Sequence, residues 1–403
     1  MHIFLDLSRL LWRAERFAPT GIDRVELAYA KHLIATRREG VSFAGYWGRL
    51  GLLPDDRSGA LIEALDAVWS GASIDRGARA RTGVLARGLR ARLLLRGPAP
   101  LYRRARTRGS ELVYLLVSHH GLVRPSALLR FKARTGARFV CLVHDLIPIK
   151  HPEYVRWGDA WRHRRRMDSV ANLADRVVVN SAGTAAELER HFAEAGCTAP
   201  IRVAPLGIDL RRSARPPAAV GQSPYFVYVA TIEPRKNHHL LFDVWRQLAA
   251  AAGGGAPRLV LIGRRGLRSR KIIELIERSG LARGLVEEHN DLPDAAVARL
   301  VAGARASLYP SLAEGYGLPV AEALALGVPV LCSDLPELRE IGLDVPEYLD
   351  PLDRCAWCDA VLDYAQSGSI RRQAQLARLT RWRAPSWEQH FSRIQPLIEF
   401  APV

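Results

Sequence analysis

Short apolar runs alternate with stretches of helical periodicity from one end of the chain to the other. Residues 3–7, 41–47, 112–117, 139–143 and 177–180 are nearly continuous in Val, Ile, Leu and Phe and predict buried strands. Between them, residues 23–36, 125–134, 157–173 and 184–192 repeat apolar positions at three- and four-residue intervals and predict helices. Residues 201–205 close this first half. The rhythm restarts with strands expected at 226–229, 258–262, 306–309 and 328–332 and helices at 240–252, 272–279, 295–302 and 320–326. Strands that are apolar on both faces, alternating with helices, predict parallel sheets covered on both sides.

The stretch RRSARPPAAVGQSP at 211–224 interrupts this rhythm with prolines, small residues and charge, and reads as a linker. The chain is therefore expected to comprise a first α/β domain at 1–210, the linker at 211–224 and a second α/β domain at 225–385. A C-terminal helix at 386–403, expected to pack back on the first domain, follows. Its face carries Trp387, Phe391 and Ile394, and Pro396 is expected to end or kink it. Open sheets of this kind bind ligands beyond the carboxyl ends of their strands, here in a cleft between the domains. At 403 residues the length agrees with two cores.

Composition places the chain among globular proteins, at 48% apolar and 25% charged residues. The opening MHIFLDLSRLLWR, with Asp6 early in it, does not read as a signal peptide, and no stretch reads as a transmembrane helix. A cytoplasmic protein is expected. Cys355 and Cys358 form one CxxC without a second pair at ligand spacing, so the five cysteines predict reduced thiols rather than a zinc site.

The net charge of +17 is almost wholly arginine, the lysines being Lys31, Lys132, Lys150, Lys236 and Lys271. Residues 76–108 hold eleven arginines and no acid, interleaved with Val84, Leu85, Leu89, Leu93, Leu94, Leu95 and Tyr102. Two readings stand for this segment: a solvated arginine-rich surface, or peripheral contact with the anionic inner face of a membrane. Its aromatics are too few and too irregular for nucleic-acid stacking, so no nucleic-acid partner is expected.

Candidate chemistry lies in two stretches of the second half. In PSLAEGYGLPVAEALALGVPV (310–330), Glu314 precedes a Gly-Tyr-Gly turn and Glu322 falls in the helix beyond it. The amides around Gly315, Tyr316, Gly317 and Leu318 open that helix, where Pro319 suits the first position, and a helix start attracts anions. One carboxylate for sugar hydroxyls, one for ribose hydroxyls and amides for phosphate suit a sugar nucleotide. By spacing alone, Glu322 equally fits a solvated helix face and Glu314 a loop acid. In ATIEPRKNHHLL (230–241), Arg235 and Lys236 end a strand and offer a fork and a point charge to a diphosphate, with Asn237 as N-cap of the next helix.

In the first half, PTGIDRVE (19–26) puts Gly21 in the loop after the first strand, with Thr20 or Asp23 available as a helix cap. An ordinary capped helix with an Asp23–Arg24 ion pair fits this stretch as well. His144 and Asp145 of HDLIP end another strand, and His119 and His120 follow a third. A histidine at a strand end is also commonly a satisfied structural residue.

The two stretches of the second half together resemble the retaining glycosyltransferases of family 4. Glu314 and Glu322, seven residues apart in between, match that family's Glu pair, and Arg235 with Lys236 matches its basic pair. APLGID (204–209) is similar too, and PTGIDRVE resembles a bacterial surface-polysaccharide subset that includes mannosyltransferases. The resemblance implies the GT-B fold, two Rossmann-like doubly wound domains facing across a cleft. It implies that Glu314 holds the donor hexose, Glu322 the ribose, and Arg235 with Lys236 the leaving diphosphate. Gly21 would lie near the donor phosphate, where this chain has one glycine in place of the common pair. His144 would sit over the donor sugar, Asp145 would orient the acceptor hydroxyl, and Thr20, Asp23 and Arg24 would fall on the acceptor side. No Asp-x-Asp occurs in the chain, so no metal and no cofactor are expected. The implied activity is transfer of a hexose, first mannose from GDP-mannose, to a lipid-linked oligosaccharide or growing glycan. Residues 76–108 and 162–166 would suit such an acceptor at the inner membrane. Rival readings are a UDP-sugar transferase of the same family, a non-catalytic sugar-nucleotide-binding protein, an epimerase of the same fold, and a nucleic-acid-binding protein.

Overall fold

The computed structural model describes residues 1–16, 18–72, 76–108, 111–208, 224–252, 255–266, 269–278 and 284–400. The linker expected at 211–224 lies outside the described residues, apart from Pro224. The chain divides into two compact units. The first comprises Met1–Ile149, Ala160–Leu206 and Trp387–Val403, and the second Lys150–Asp159 and Gly207–Ser386.

The first unit is built on a seven-stranded sheet. Its strands are β1 (His2–Asp6), β2 (Val41–Trp47), β3 (Arg49–Leu53), β4 (Leu112–Leu116), β5 (Arg138–Val143), β6 (Arg176–Val179) and β7 (Ile201–Val203), in the order β3-β2-β1-β4-β5-β6-β7. Neighbours are parallel except β2 and β3, which form a hairpin about Gly48, whose φ of 68° suits glycine. The sequence reading missed β3 because RLGLL is short and lies in a stretch read as irregular. Gly51 is required there: a Cβ would stand 2.9 Å from the Gly97 carbonyl oxygen. The same stretch, for which the apolar pattern predicted no element between residues 47 and 112, also holds helices Asp55–Trp69, Arg76–Arg96 and Ala99–Thr107.

Strands such as Leu112–Leu116 are buried along their whole length, as strands covered on both faces must be. On one face Tyr114 stacks on Phe139 at 4.8 Å between ring centroids, and Phe131 meets Phe4 edge-on at 5.8 Å. Burying each such ring contributes about 1.5–3 kcal/mol. The helix Trp387–Glu399 covers helix Gly21–Arg37: Tyr29 and His390 hydrogen-bond at 2.7 Å, His32 stacks on Phe391, and Arg37 pairs with Glu399. Of the two expected outcomes at Pro396, an end to the helix is not the one observed: the helix runs on to Glu399. Leu397 and Ile398 beyond it are buried, and the Pro396 carbonyl accepts from Arg176 at 2.8 Å, so tertiary packing holds the final turn.

The second unit carries a six-stranded, wholly parallel sheet. Its strands are β8 (Tyr225–Val229), β9 (Arg258–Ile262), β10 (Val286–His289), β11 (Ser307–Tyr309), β12 (Val330–Ser333) and β13 (Glu347–Leu349), in the order β10-β9-β8-β11-β12-β13. The strand order reverses between β8 and β11, as it does between β1 and β4 in the first sheet. Loops leaving adjacent strands at such a point diverge and open a crevice at the carboxyl edge. Both units thus have the doubly wound, Rossmann-like architecture. Among the described residues, no helix is long and apolar enough to cross a membrane.

Candidate active site

In the second unit, the chain leaving β8 passes through a 3₁₀ turn, Pro234–Lys236, before helix His238–Ala252. Asn237 joins them in the left-handed conformation, φ 52°, and its amide donates to the Pro351 carbonyl at 2.9 Å. The expected N-cap is therefore replaced by a left-handed hinge, which asparagine tolerates better than most residues. The loop after β8 approaches β9 so closely that a Cβ on Gly263 would lie 1.9 Å from the Ala230 carbonyl oxygen. Tyr228, buried in β8, donates its hydroxyl to the Lys236 carbonyl at 2.7 Å and fixes the turn from below.

The chain leaving β11 comes alongside. Leu312 N–H donates to the Arg235 carbonyl at 2.8 Å, and the Arg235 guanidinium returns a bond to the Ala313 carbonyl at 3.1 Å. This stitching brings Glu314 between the two cations, with Arg235 at 3.3 Å from one carboxylate oxygen and the Lys236 ammonium on the other. Glu233 adds a second carboxylate 3.4 Å from Arg235, a neighbour the sequence reading did not single out. Glu314 and Lys236 keep only 11% and 10% of their side chains exposed, so the pair is largely withdrawn from water. Burial alone would raise the Glu314 carboxyl, but Lys236 and Arg235 outweigh it and hold it at about 2. The acid is ionised at any physiological pH.

Beyond Glu314 the chain turns at Gly317, φ 95°, into helix Leu318–Ala325. A side chain at Gly317 would meet Leu338 Cδ2 at 2.5 Å, so the turn is restricted to glycine by space as well as by torsion. Leu318 is the first helical residue and Pro319 the second. The amide cradle is narrower than expected, because Pro319 has no N–H and Val320 donates to the Gly317 carbonyl at 2.9 Å. Tyr316 is buried, so only its backbone borders the turn; Gly315 and Leu318 are half-buried. Tyr309 donates to the Pro319 carbonyl at 2.9 Å and anchors the helix start to β11. Glu322 stands in the second turn, and its charge and that of Glu314 both act on the buried Tyr309 hydroxyl. Glu314, Glu322, Arg235 and Lys236 therefore gather at the strand reversal of one sheet.

The first unit holds the other candidates, also about a strand reversal. Gly21 opens helix Gly21–Arg37 and is exposed. Asp23 is fully buried; its carboxylate accepts from Arg9 at 2.5 Å, Arg13 at 2.9 Å and the Thr20 N–H at 2.6 Å. In place of the alternative Asp23–Arg24 pair, Asp23 is a helix-start acid that reaches back to the capping residue and braces Arg9 and Arg13 of the short helix Ser8–Arg13 that follows β1. Thr20 accepts from Arg9 at 2.9 Å, and Arg24 is half-buried.

His144, at the end of β5, is buried and donates Nε2–H to the Val117 carbonyl at 2.8 Å. Burial lowers it to about 4, so it is neutral at pH 7 with Nδ1 as an acceptor. His119 lies 5.7 Å from the His144 ring and 5.3 Å from that of His163, and burial lowers all three. Asp145 accepts from the Ile147 N–H at 3.1 Å, turning the chain into the helix Ile147–Lys150. Arg9, whose charge acts on His119, His120 and His144, was not singled out from sequence; its place three residues after Asp6, in the short helix Ser8–Arg13 that follows β1, was the available signal.

Residues 211–344 match the model described as glycosyl transferases group 1, and residues 57–212 match glycosyltransferase family 4. O-antigen chain mannosyltransferase B of Escherichia coli is 36% identical over 164 residues, 41% of this chain and 42% of that protein. The serotype-specific mannosyltransferase WbdA of Escherichia coli is 27% identical over 52% of this chain and 28% of its own length. The chain thus spans less than half of these curated relatives. Among solved structures, Anabaena Alr3699/HepE in complex with UDP and glucose superposes with a TM-score of 0.64 at 14% identity, covering 99% of this chain and 100% of that one. The UDP-forming trehalose-phosphate synthase of Burkholderia vietnamiensis gives 0.62 at 13% identity over 100% of both. The fold they share is GT-B.

Proposed function

The chain belongs to the family 4 glycosyltransferases of group 1, and on that premise we propose that it is a retaining, metal-independent hexosyltransferase. Its donor is GDP-mannose and its acceptor a lipid-linked or growing bacterial surface polysaccharide at the cytoplasmic face of the membrane. The observation that carries this reading is the cluster of Glu314, Lys236 and Arg235 at the β8/β11 reversal. Its relatives among O-antigen mannosyltransferases support the choice of sugar.

Charge accumulates on the diphosphate as the anomeric carbon–oxygen bond breaks. Arg235 and Lys236, already fixed by Glu314 and the backbone, stabilise that charge with little reorganisation, the arrangement that lowers a barrier most. Glu314 lies where it can also accept from donor hydroxyls, and Glu322 takes the ribose. The acceptor oxygen bonds to the anomeric carbon on the face the diphosphate leaves, and its proton passes to a departing phosphate oxygen. His144, neutral and with Nδ1 open as an acceptor, receives a hydrogen bond from a sugar hydroxyl and does not serve as a cation.

Calorimetry of the purified protein without metal, against GDP, UDP, GDP-mannose and UDP-glucose, tests the donor. Binding of the guanine pair, weakened at least tenfold by Glu322→Ala, is expected. Preference for the uracil pair would reassign the donor, and binding of none would overturn the reading. An inverted anomeric product or loss of activity in EDTA would refute retention or metal independence in turn.

A further inference from the structure

Helix Arg76–Arg96 is held by one face only. Ala78, Thr82, Ala86, Leu89 and Leu93 are buried, at intervals of three and four residues. On the opposite side Ala80, Val84, Ala91 and Leu95 recur at four, seven and four residues, an arc of about 60° at 3.6 residues per turn, with Leu94 just beside it. This outer stripe is largely open to solvent: Val84 is 60% exposed, Leu94 47% and Leu95 84%. Arg87 lies between the arc and Leu94. Arg81 and Arg92 border one edge; Arg90, which pairs with Glu15 and lies over Trp47, and then Arg79 border the other, and the helix carries no acid. A surface helix normally turns polar residues outward; this one is apolar on both sides with cations along the seams.

We propose that this outer face docks on an anionic lipid bilayer, with Val84, Leu94 and Leu95 entering the acyl boundary and the arginines reaching lipid phosphates. Arginine stems cover apolar surface while their heads stay at the phosphate plane, so a narrow stripe between two rows of guanidinium groups complements a sheet of phosphates above hydrocarbon. Arg87, whose tie to Glu15 is 3.4 Å, lies among the stripe and is long enough to reach the same plane. The inference is independent of the donor site, which lies in the other unit.

The test is co-sedimentation of the full chain with vesicles of phosphatidylcholine alone, and with part of it replaced by phosphatidylglycerol, at about 0.05 and 0.5 M salt. The anionic vesicles are expected to bind at least about tenfold more strongly at low salt. Leu94→Ser with Leu95→Ser should weaken that binding about tenfold, and Arg81→Gln and Arg92→Gln about fivefold each. These side chains are exposed or edge-lying, and unchanged melting temperatures confirm intact folding. Equal binding to both vesicles overturns the proposal. So does a leucine pair without effect, or an equal loss on replacing Arg162 and Arg165 by Gln instead. Duplex DNA bound equally by the leucine variant and the parent, with no vesicle binding by either, would reassign the helix to nucleic acid. Nucleotide-sugar affinity measured on the same variants is expected to stay unchanged, so failure here and failure of the donor reading are separable.

Discussion

Lys236 and Glu314, seventy-eight residues apart in sequence, form a largely buried ion pair at the point where the second sheet reverses its strand order. Neither residue is placed by its own loop alone. The Leu312 amide and the Arg235 carbonyl join the two loops, and the pair closes over that joint. Removing the Lys236 ammonium leaves Glu314 and Arg235 still 3.3 Å apart, so the site should persist with one cation fewer. We expect Lys236→Ala to lower kcat about 100- to 1,000-fold with a smaller change in nucleotide affinity. Single-turnover rates and calorimetry on the one variant check both. A loss of nucleotide affinity with kcat unchanged would mean Lys236 contributes only ground-state affinity.

Glu314→Gln asks a different question. It keeps the shape but removes the charge that holds two buried cations, and should cost on the order of 1–3 kcal/mol of stability at pH 7. Because the folded Glu314 lies at about 2, below its ordinary 4.5, its stabilisation is present above 4.5 and disappears as pH falls through about 2. The parent and Gln variant should therefore converge in stability toward pH 2, as urea unfolding at a series of pH values would show.

The buried histidines set a second acid limit. His144 and His390 are held neutral near 4 by burial, against an ordinary 6.5. Between those values the unfolded chain binds protons that the folded chain does not, so stability should fall steadily from pH 6.5 to about 4. The kcat/KM profile should correspondingly show no break near 6.5 from His144. A break there that vanishes in His144→Gln would contradict the neutral assignment.

Glu26 behaves in the opposite sense. It is fully buried in helix Gly21–Arg37, accepts from the Leu10 amide at 3.0 Å, and is raised to about 8 by burial and by the nearby Asp6. Folded Glu26 keeps its proton while unfolded Glu26 loses it above the usual carboxylate range, so its contribution to stability declines from pH 4.5 to about 8. Glu26→Gln should flatten that decline and leave the variant more stable than the parent above pH 8. Guanidinium melts at pH 6 and 9 distinguish the two.

Two glycines should respond with opposite signs. Gly317→Ala forces a Cβ to 2.5 Å from Leu338 at a φ of 95°, and should cost about 1–3 kcal/mol together with donor binding. Gly59, in helix Asp55–Trp69, has nothing within 4 Å of a would-be Cβ. Gly59→Ala should gain about 0.5–1 kcal/mol of stability. Thermal melts of both variants provide the check.

The sequence made the sheets legible because parallel strands must be apolar on both faces, and helices between them must be apolar on one. It also made the charged cluster legible: Arg235 and Lys236 follow one strand, and Glu314 follows another. Their meeting needed only the rule that loops beside a strand reversal share a crevice. What it concealed depended on partners distant in sequence. Asp23 gives no hint that it will choose Arg9 and Arg13 over adjacent Arg24, since that choice is made by where the short helix Ser8–Arg13 after β1 lies. Asn237 has capping chemistry, yet Pro351, contributed from far along the chain, draws its amide away. Pro396 should break a helix, but the buried residues after it and Arg176 beneath it hold the turn. Strand β3 stayed hidden because an edge strand of five residues with a central glycine has too few side chains to show a period.

The contact between Tyr29 and His390 has a consequence for how the molecule is made. The two residues are separated by 361 positions, and both belong to the first unit. During synthesis, the first sheet and the second unit are translated before the segment that caps helix Gly21–Arg37. Until then Tyr29 and its apolar neighbours lack that cover, and an early segment waits for a much later one. A nascent chain stalled before residue 387 is accordingly a natural client for chaperones, and gene fragments cut at the boundary between the units will yield a first half with an uncovered flank.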